Sequence, residues 1–250
     1  SPVIAGLAPQ ATTRPSITGT PEDGETLTGD DGEWTGSAPL QFDRQWQRCD
    51  ADGSSCADIP NAGDTSYDLT PQDVGHAIVL KVTVSNTEGP VTAVSDPVGP
   101  VAGRPPVNTA APAVTGLARD TLTLGSDDGT WTGTPTIAYA RQWQRCDSAG
   151  NNCQDVAGRT GTTYELGPPD VGRPARIVIT ATNVAGTQAA ASPVSEVVAA
   201  SSPLNTRAPS VTGEARQDGT LTADKGDWAG TPQIGFAYRW KRCDADGTSC

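Results

Sequence analysis

Residues 46–50 read WQRCD, the same five letters return at 143–147, and WKRCD stands at 240–244. The step is 97 residues each time, from Trp46 to Trp143 and from Trp143 to Trp240. The same offset relates Trp34, Trp131 and Trp228, and it relates Cys49, Cys146 and Cys243 as well as Cys56, Cys153 and Cys250. It also links Tyr67 to Tyr164, Asp73 to Asp170 and Asn86 to Asn183. Self-similarity at one fixed period, with no insertion or deletion, marks a chain built of copies of one module. Junctions fall at the proline-bearing stretches Pro105-Pro106 and Ser202-Pro203. The expected organisation is a tail of a preceding repeat at 1–8, repeat 1 at 9–105, repeat 2 at 106–202, and the first half of repeat 3 at 203–250. A half-module exposes the apolar face that its missing strands would cover, so the array is expected to continue beyond both ends.

Outward from Trp46, residues Leu40, Phe42, Arg44, Trp46 and Arg48 alternate with Gln41, Asp43, Gln45 and Gln47. Period two with aromatics on one side predicts a strand whose first set meets the core and whose second set is wet. Tyr238 replaces Arg44 and Arg141 in the third copy, so these arginines are expected to lay a stem or guanidinium plane against the neighbouring Trp. A second alternating run, Ile78, Leu80, Val82 and Val84, is expected to point inward and to end in the turn Asn86-Thr-Glu-Gly89. Strands are expected at about 16–18, 25–28, 40–48, 55–59, 65–69, 77–85 and 91–98. That count and spacing predict an all-β fold of tandem immunoglobulin-like β-sandwich modules.

The Trp46 strand, the run Tyr67-Asp-Leu69 to Asp73-Val-Gly75 and the Asn86 turn resemble the immunoglobulin-like sandwich. More narrowly, the Gly-x-Trp-x-Gly, Gln-Trp-Gln-Arg-Cys-Asp and Asp-Val-Gly elements are similar to tandem immunoglobulin-like repeats of large secreted or surface proteins of actinobacteria. The resemblance covers essentially all of the chain. It departs from antibody-type domains in having Leu27 and Leu80 or Val82 where those carry an inter-sheet cysteine pair, and Ala77 or Pro174 at the corner tyrosine.

Composition agrees. Gly 28 and Pro 21 suit short strands and turns rather than long helices. Seventeen Lys+Arg against 29 Asp+Glu give a net charge of −12, which argues against nucleic acid as a partner. No apolar run is long enough for membrane insertion of this segment. A single His leaves little material for acid–base chemistry, and no enzyme is expected.

The six cysteines form three pairs spaced i, i+7, in CDADGSSC, CDSAGNNC and CDADGTSC, each enclosing a turn-rich loop between two predicted strands. Disulfides Cys49–Cys56, Cys146–Cys153 and Cys243–Cys250 are therefore expected. Zinc would need four N or S donors, and each module offers two cysteines with no nearby His. Disulfides in every copy predict an extracellular or cell-surface location.

No catalytic residue and no cofactor are expected. Asp30, Asp31, Asp127 and Asp128 are the candidate calcium ligands on donor type, against the alternative of solvated turn carboxylates. Trp34, Trp46, Trp131, Trp143, Trp228 and Trp240 are expected in the core, and the alternative for the Gly-x-Trp set is a sugar-stacking platform. Semi-rigid proline-bearing junctions then predict a rod: an extracellular structural protein, either a stalk or the subunit of a surface fibre. Its partners would be neighbouring repeats or other copies. The alternatives are an adhesin or carbohydrate-binding module with a cell-surface or sugar ligand, or a spacer in a larger secreted enzyme.

Overall fold

A computed structural model describes residues 6–250; of the expected tail at 1–8, residues 1–5 lie outside the described residues. Two compact units are formed. Of the described residues one comprises 6–109, 131–139 and 180–188, and the other 110–130, 140–179 and 189–250.

The first 97-residue copy has nine strands: β1 (Gln10–Ala11), β2 (Ser16–Thr18), β3 (Thr26–Asp30), β4 (Trp34–Thr35), β5 (Gln41–Cys49), β6 (Ala57–Asp58), β7 (Ser66–Asp68), β8 (Ala77–Asn86) and β9 (Gly89–Val94). Their order is β2-β3-β7 in one sheet and β6-β5-β8-β9 in the other, with β1 and β4 as a separate pair. The second copy repeats this with β10 (Val107–Ala110), β11 (Val114–Thr115), β12 (Thr123–Ser126), β13 (Thr130–Thr132), β14 (Ala138–Arg145), β15 (Gln154–Asp155), β16 (Thr163–Glu165), β17 (Ala175–Asn183) and β18 (Gly186–Ala191). There the sheets are β11-β12-β16 and β15-β14-β17-β18, and β10 pairs with β13. The third copy contributes two hairpin-like pairs, β19 (Leu204–Arg207) with β22 (Asp227–Ala229) and β20 (Ser210–Gly213) with β21 (Leu221–Asp224).

The backbone of each sandwich is the long antiparallel ladder that the alternation predicts. β5 and β8 pair without a bulge from Gln41↔Ser85 to Cys49↔Ala77, which sets Trp46 opposite Leu80. A side-chain period of two then sends every second residue inward. Leu27, Trp46, Ile78, Leu80, Val82 and Val84 are fully buried, with Ile17, Trp34 and Tyr67 packed against them. Each such side chain contributes about 1.5–3 kcal/mol on leaving water. Gly29 is part of this close packing, because a Cβ there would lie 2.5 Å from Leu80 Cδ2 and 3.2 Å from Trp46 Cζ2.

The structure departs from the sequence-based expectation in identifiable places. Trp34–Thr35 is a strand paired with Gln10–Ala11; a strand of two residues shows no alternation to read. Phe42 is 42 % exposed although it shares the Trp46 face, because it lies at the outer end of β5 and packs edge-on against Trp34 with ring centroids 6.5 Å apart. Gln45 is not wet: its amide donates to the carbonyls of Trp46 at 2.8 Å and Ile59 at 2.7 Å, holding the 59–62 loop against the strand.

Trp228 and Trp240, expected in the core, are 38 % and 58 % exposed, and residues 240–244 form no strand. The residues that β8 and β17 supply in the first two copies have no counterpart among the 250 of the sequence. Among the described residues no strand pairs with 240–244.

Trp143 is fully buried, so Trp143→Ala removes a large core side chain and leaves a cavity. A loss of about 3–5 kcal/mol is expected, measured by denaturant unfolding.

Candidate functional site

The most concentrated polar chemistry of each repeat lies where the β7-to-β8 connection crosses the end of the sandwich. Thr70-Pro71-Gln-Asp73 forms one 3-10 turn at Pro71–Asp73; Pro at the first position fixes φ and lacks a donor the turn cannot use. The Asp73 side chain folds back over this turn and accepts from the Thr70 amide and hydroxyl, both at 2.7 Å. The Tyr67 hydroxyl donates to the same carboxylate at 2.9 Å. Arg48, on β5, donates from Nε at 2.8 Å and from Nη2 at 2.6 Å. Asp73 is fully buried, so five donors replace the water it has lost. Burial pushes the Asp73 carboxyl up, but the bonds from Thr70, Arg48 and Tyr67 outweigh it and hold the group below its ordinary value.

The second repeat rebuilds the network. Asp170 accepts from Arg145 Nε at 2.6 Å, from the Tyr164 hydroxyl at 2.5 Å and from the Gly167 amide at 2.7 Å. Burial and the bond to Asp170 push the Tyr164 phenol up to about 12. In both copies the tyrosine ring lies against the core tryptophan, Tyr67 on Trp46 with centroids 5.9 Å apart and Tyr164 on Trp143 at 5.5 Å. The arginine and Trp come from the four-stranded sheet and the tyrosine from the three-stranded one. Carboxylate and ring stack thus join the two sheets at the end of the sandwich, while Leu27 and Leu80 or Val82 fill the core where antibody-type domains carry a disulfide.

The candidate calcium ligands are engaged otherwise. Asp31 pairs with Arg44 through two bonds, the Nε one at 2.6 Å, and Asp128 pairs likewise with Arg141. Asp30 accepts from the Gly32 amide at 2.9 Å and Asp127 from the Gly129 amide at 3.0 Å. Gly32 and Gly129 sit at φ +73° and +72°, and a Cβ on Gly32 would stand 2.2 Å from the Thr13 carbonyl oxygen, so these turns require glycine. Among the described residues no three His, Cys, Asp or Glu side chains come together to hold a metal. Arg44 and Arg141, expected to lie against Trp, are ion-paired instead. A sequence signal for that pairing was present: where Arg44 and Arg141 become Tyr238, Asp31 and Asp128 become Lys225. In that third copy Lys225 Nζ sits 4.2 Å over the Phe236 ring, a cation–π contact in place of the ion pair.

The three cysteine pairs are bonded, Cys49–Cys56, Cys146–Cys153 and Cys243–Cys250. Their loops are self-contained. The Asp50 amide donates to the Ser54 carbonyl at 2.7 Å, and the Asp52 carboxylate accepts from the Ser54 amide and hydroxyl at 3.0 and 2.6 Å. In the second loop Asp147 accepts from the amides of Ala149 and Asn151 at 3.0 and 2.8 Å. His76 places Nδ1 3.0 Å from the Cys49 carbonyl oxygen. Trp34 and Trp131 are half-buried, and the Trp34 indole N–H donates to the Asp31 carbonyl at 2.9 Å.

No family model matches the chain, and no curated protein matches it. Among solved structures, an I-band fragment of titin is similar at 14 % identity, covering 89 % of this chain and 77 % of that one with a TM-score of 0.28. The titin domains z1z2 in complex with telethonin are 14 % identical, covering 76 % and 96 %, at TM-score 0.33. Sidekick-1 immunoglobulin domains 1-5 are 17 % identical, covering 92 % and 46 %, at TM-score 0.30. The fold assignment itself rests on the strand order and the packing described above: the chain is a tandem of immunoglobulin-like β-sandwich repeats.

The buried network has a pH signature at both ends. A carboxyl held low in the folded state contributes stability above its unfolded value of about 4 and loses it as pH falls further. A phenol held high contributes below its unfolded value of about 10, and that contribution is lost as pH rises toward 12. Denaturant unfolding across this range is expected to show a plateau between about pH 5 and 9 with falling limbs on both sides. The alkaline loss attached to Tyr164 is of the order of 2 kcal/mol, and Tyr164→Phe shrinks that limb while leaving the acid one. Arg145→Ala, which strands a buried carboxylate, costs about 3–5 kcal/mol at neutral pH.

Proposed function

We propose that the chain is a segment of an extracellular structural protein, a stalk or the subunit of a surface fibre, in which the repeats supply length and durability. The observation that carries this reading is that, in the first two copies, the strand tryptophan, the buried carboxylate of the 70–73 turn and the cysteine pair repeated at a 97-residue interval are engaged in holding each module together. Trp46 and Trp143 are buried, Asp73 and Asp170 are saturated by donors from their own repeats, and every cysteine is bonded to a partner seven residues away. A binding or catalytic module instead directs some of its distinctive polar residues toward a convergent cleft. Closing so short a loop stabilises each module by about 2–3 kcal/mol in the chain-entropy model. The disulfides also persist only outside a reducing compartment, which supports the surface location. No helix among the described residues is long and apolar enough to cross a membrane.

Electron microscopy of native material, without reductant and then with it, tests the proposal. Thin rods or regular fibres that keep their integrity without reductant are expected, and the protein is expected in the surface or secreted fraction. Compact isolated particles, or recovery from the cytosol with free thiols, overturn it.

A further inference from the structure

The same register that repeats the core also repeats a polar contact running from one repeat into the next. In the first compact unit the Thr134 hydroxyl, fully buried, donates to Asp23 Oδ2 at 2.7 Å. In the second unit the Thr231 hydroxyl donates to Asp120 Oδ2 at 2.6 Å. Both pairs are separated by 111 residues, and both carboxylates are buried, Asp23 to 7 % and Asp120 to 0 % exposure. Leu27 and Leu124, on one face of the core, follow each Asp by four residues, so the Asp lies three residues before β3 or β12 in its own repeat.

The hydroxyl is prepared for this task by its own side of the joint. The Arg104 amide donates to Thr134 Oγ1 at 2.7 Å and the Ser201 amide donates to Thr231 Oγ1 at 2.7 Å. An oxygen that already accepts from the linker backbone turns its proton away from that bond, and the carboxylate of the preceding repeat lies there. The linker is itself fixed: the Asn183 amide donates to the carbonyls of Arg104 and Thr134, both at 2.8 Å. The Asp23 amide meanwhile donates to the Ala102 carbonyl at 2.9 Å, and the Asp120 amide to Ala199 at 2.9 Å. The first repeat holds its own hydroxyl the same way, with the Leu7 amide donating to Ser37 Oγ at 2.9 Å and the Asn86 amide to the Leu7 and Ser37 carbonyls at 2.8 and 2.9 Å.

We infer that this hydroxyl and carboxylate form a clasp that recognises the neighbouring repeat, its fitting partner being a repeat of this same kind with Ser or Thr at the 37/134/231 position and Asp at the 23/120 position. The inference deepens the structural reading above by naming what each repeat binds, and it rests on that reading for its purpose. A buried carboxylate accepting from a hydroxyl is sensitive to length and chemistry, so the clasp discriminates against Val or Ala at the hydroxyl position. Asp120 Oδ1 has no hydrogen-bond partner, so the second clasp is the less completely satisfied of the two.

A double-mutant cycle on the full chain tests this, read by native-state hydrogen exchange at the Asp23 and Arg104 amides. Thr134→Val and Asp23→Ala are each expected to speed exchange at both amides by about tenfold, and the double variant by little more than either alone. Thr134→Ser, which restores the hydroxyl, keeps parental exchange, and Ser37→Ala affects the Leu7 amide without reaching Asp23. The clasp is overturned if Thr134→Val leaves the Asp23 amide unchanged, or if the two substitutions combine multiplicatively to within about twofold. Such a result removes the clasp and leaves the stalk or fibre reading standing, whereas compact particles in the microscope with an intact cycle remove that reading and leave the clasp.

Discussion

A carboxylate placed in the interior of a protein has to be compensated or it unfolds the region around it, and Asp73 and Asp170 are such groups in the first two repeats. Asp73 draws Arg48 from β5, Tyr67 from β7 and Thr70 from the intervening turn. Once those donors are in place the relative position of the two sheets is set, because Arg48 and Trp46 belong to one and Tyr67 to the other. The ring stack of Tyr67 on Trp46 then follows from the position of its hydroxyl. Replacing such a network by well-packed apolar residues is often neutral in energy. Its contribution here is therefore best understood as uniqueness of the sheet-to-sheet register, with stability coming from the Leu, Ile and Val of β3 and β8.

Seen this way, the location of the disulfide makes physical sense. The bond between sheets is not needed where the Asp-centred network already ties them. The cysteines instead close the hairpin beyond β5, with Cys49 buried and Cys56 exposed, where the chain turns through an Asp/Gly/Ser loop with few apolar contacts of its own. The two devices divide the work, one acting across the core and the other at a solvent-facing turn that would otherwise fray.

The third copy shows which features are interchangeable. Where Asp31 and Arg44 form an ion pair, Lys225 and Tyr238 stand in the third copy, and the cation moves to the aromatic ring of Phe236. The partner residues changed together, so the position selects an attraction rather than a residue type. The cysteine pair, the core Trp and the linker-proximal hydroxyl are retained in all three copies as Ser37, Thr134 and Thr231. The structure gives a reason for the last of these in the linker amide that each hydroxyl accepts.

Period and alternation are local properties, and they carried the module length, the β5 and β8 faces and the cysteine pairs directly from the letters of the chain. Trp46, Leu80 and Val82 were legible because a strand's side-chain period of two is independent of what it packs against. The strand at Trp34 was not legible, since a strand of two residues carries no period. Neither was the engagement of Arg48 with Asp73 or of Thr134 with Asp23, which join residues 25 and 111 positions apart. Exposure of Trp228 and Trp240 likewise depends on a partner strand rather than on their own neighbours in sequence. The sequence by itself determined the repeat, the fold class and the inward faces; only the tertiary structure decided which charge meets which, because a buried charge is assigned its partner by the packing of distant segments and not by the spacing of its own.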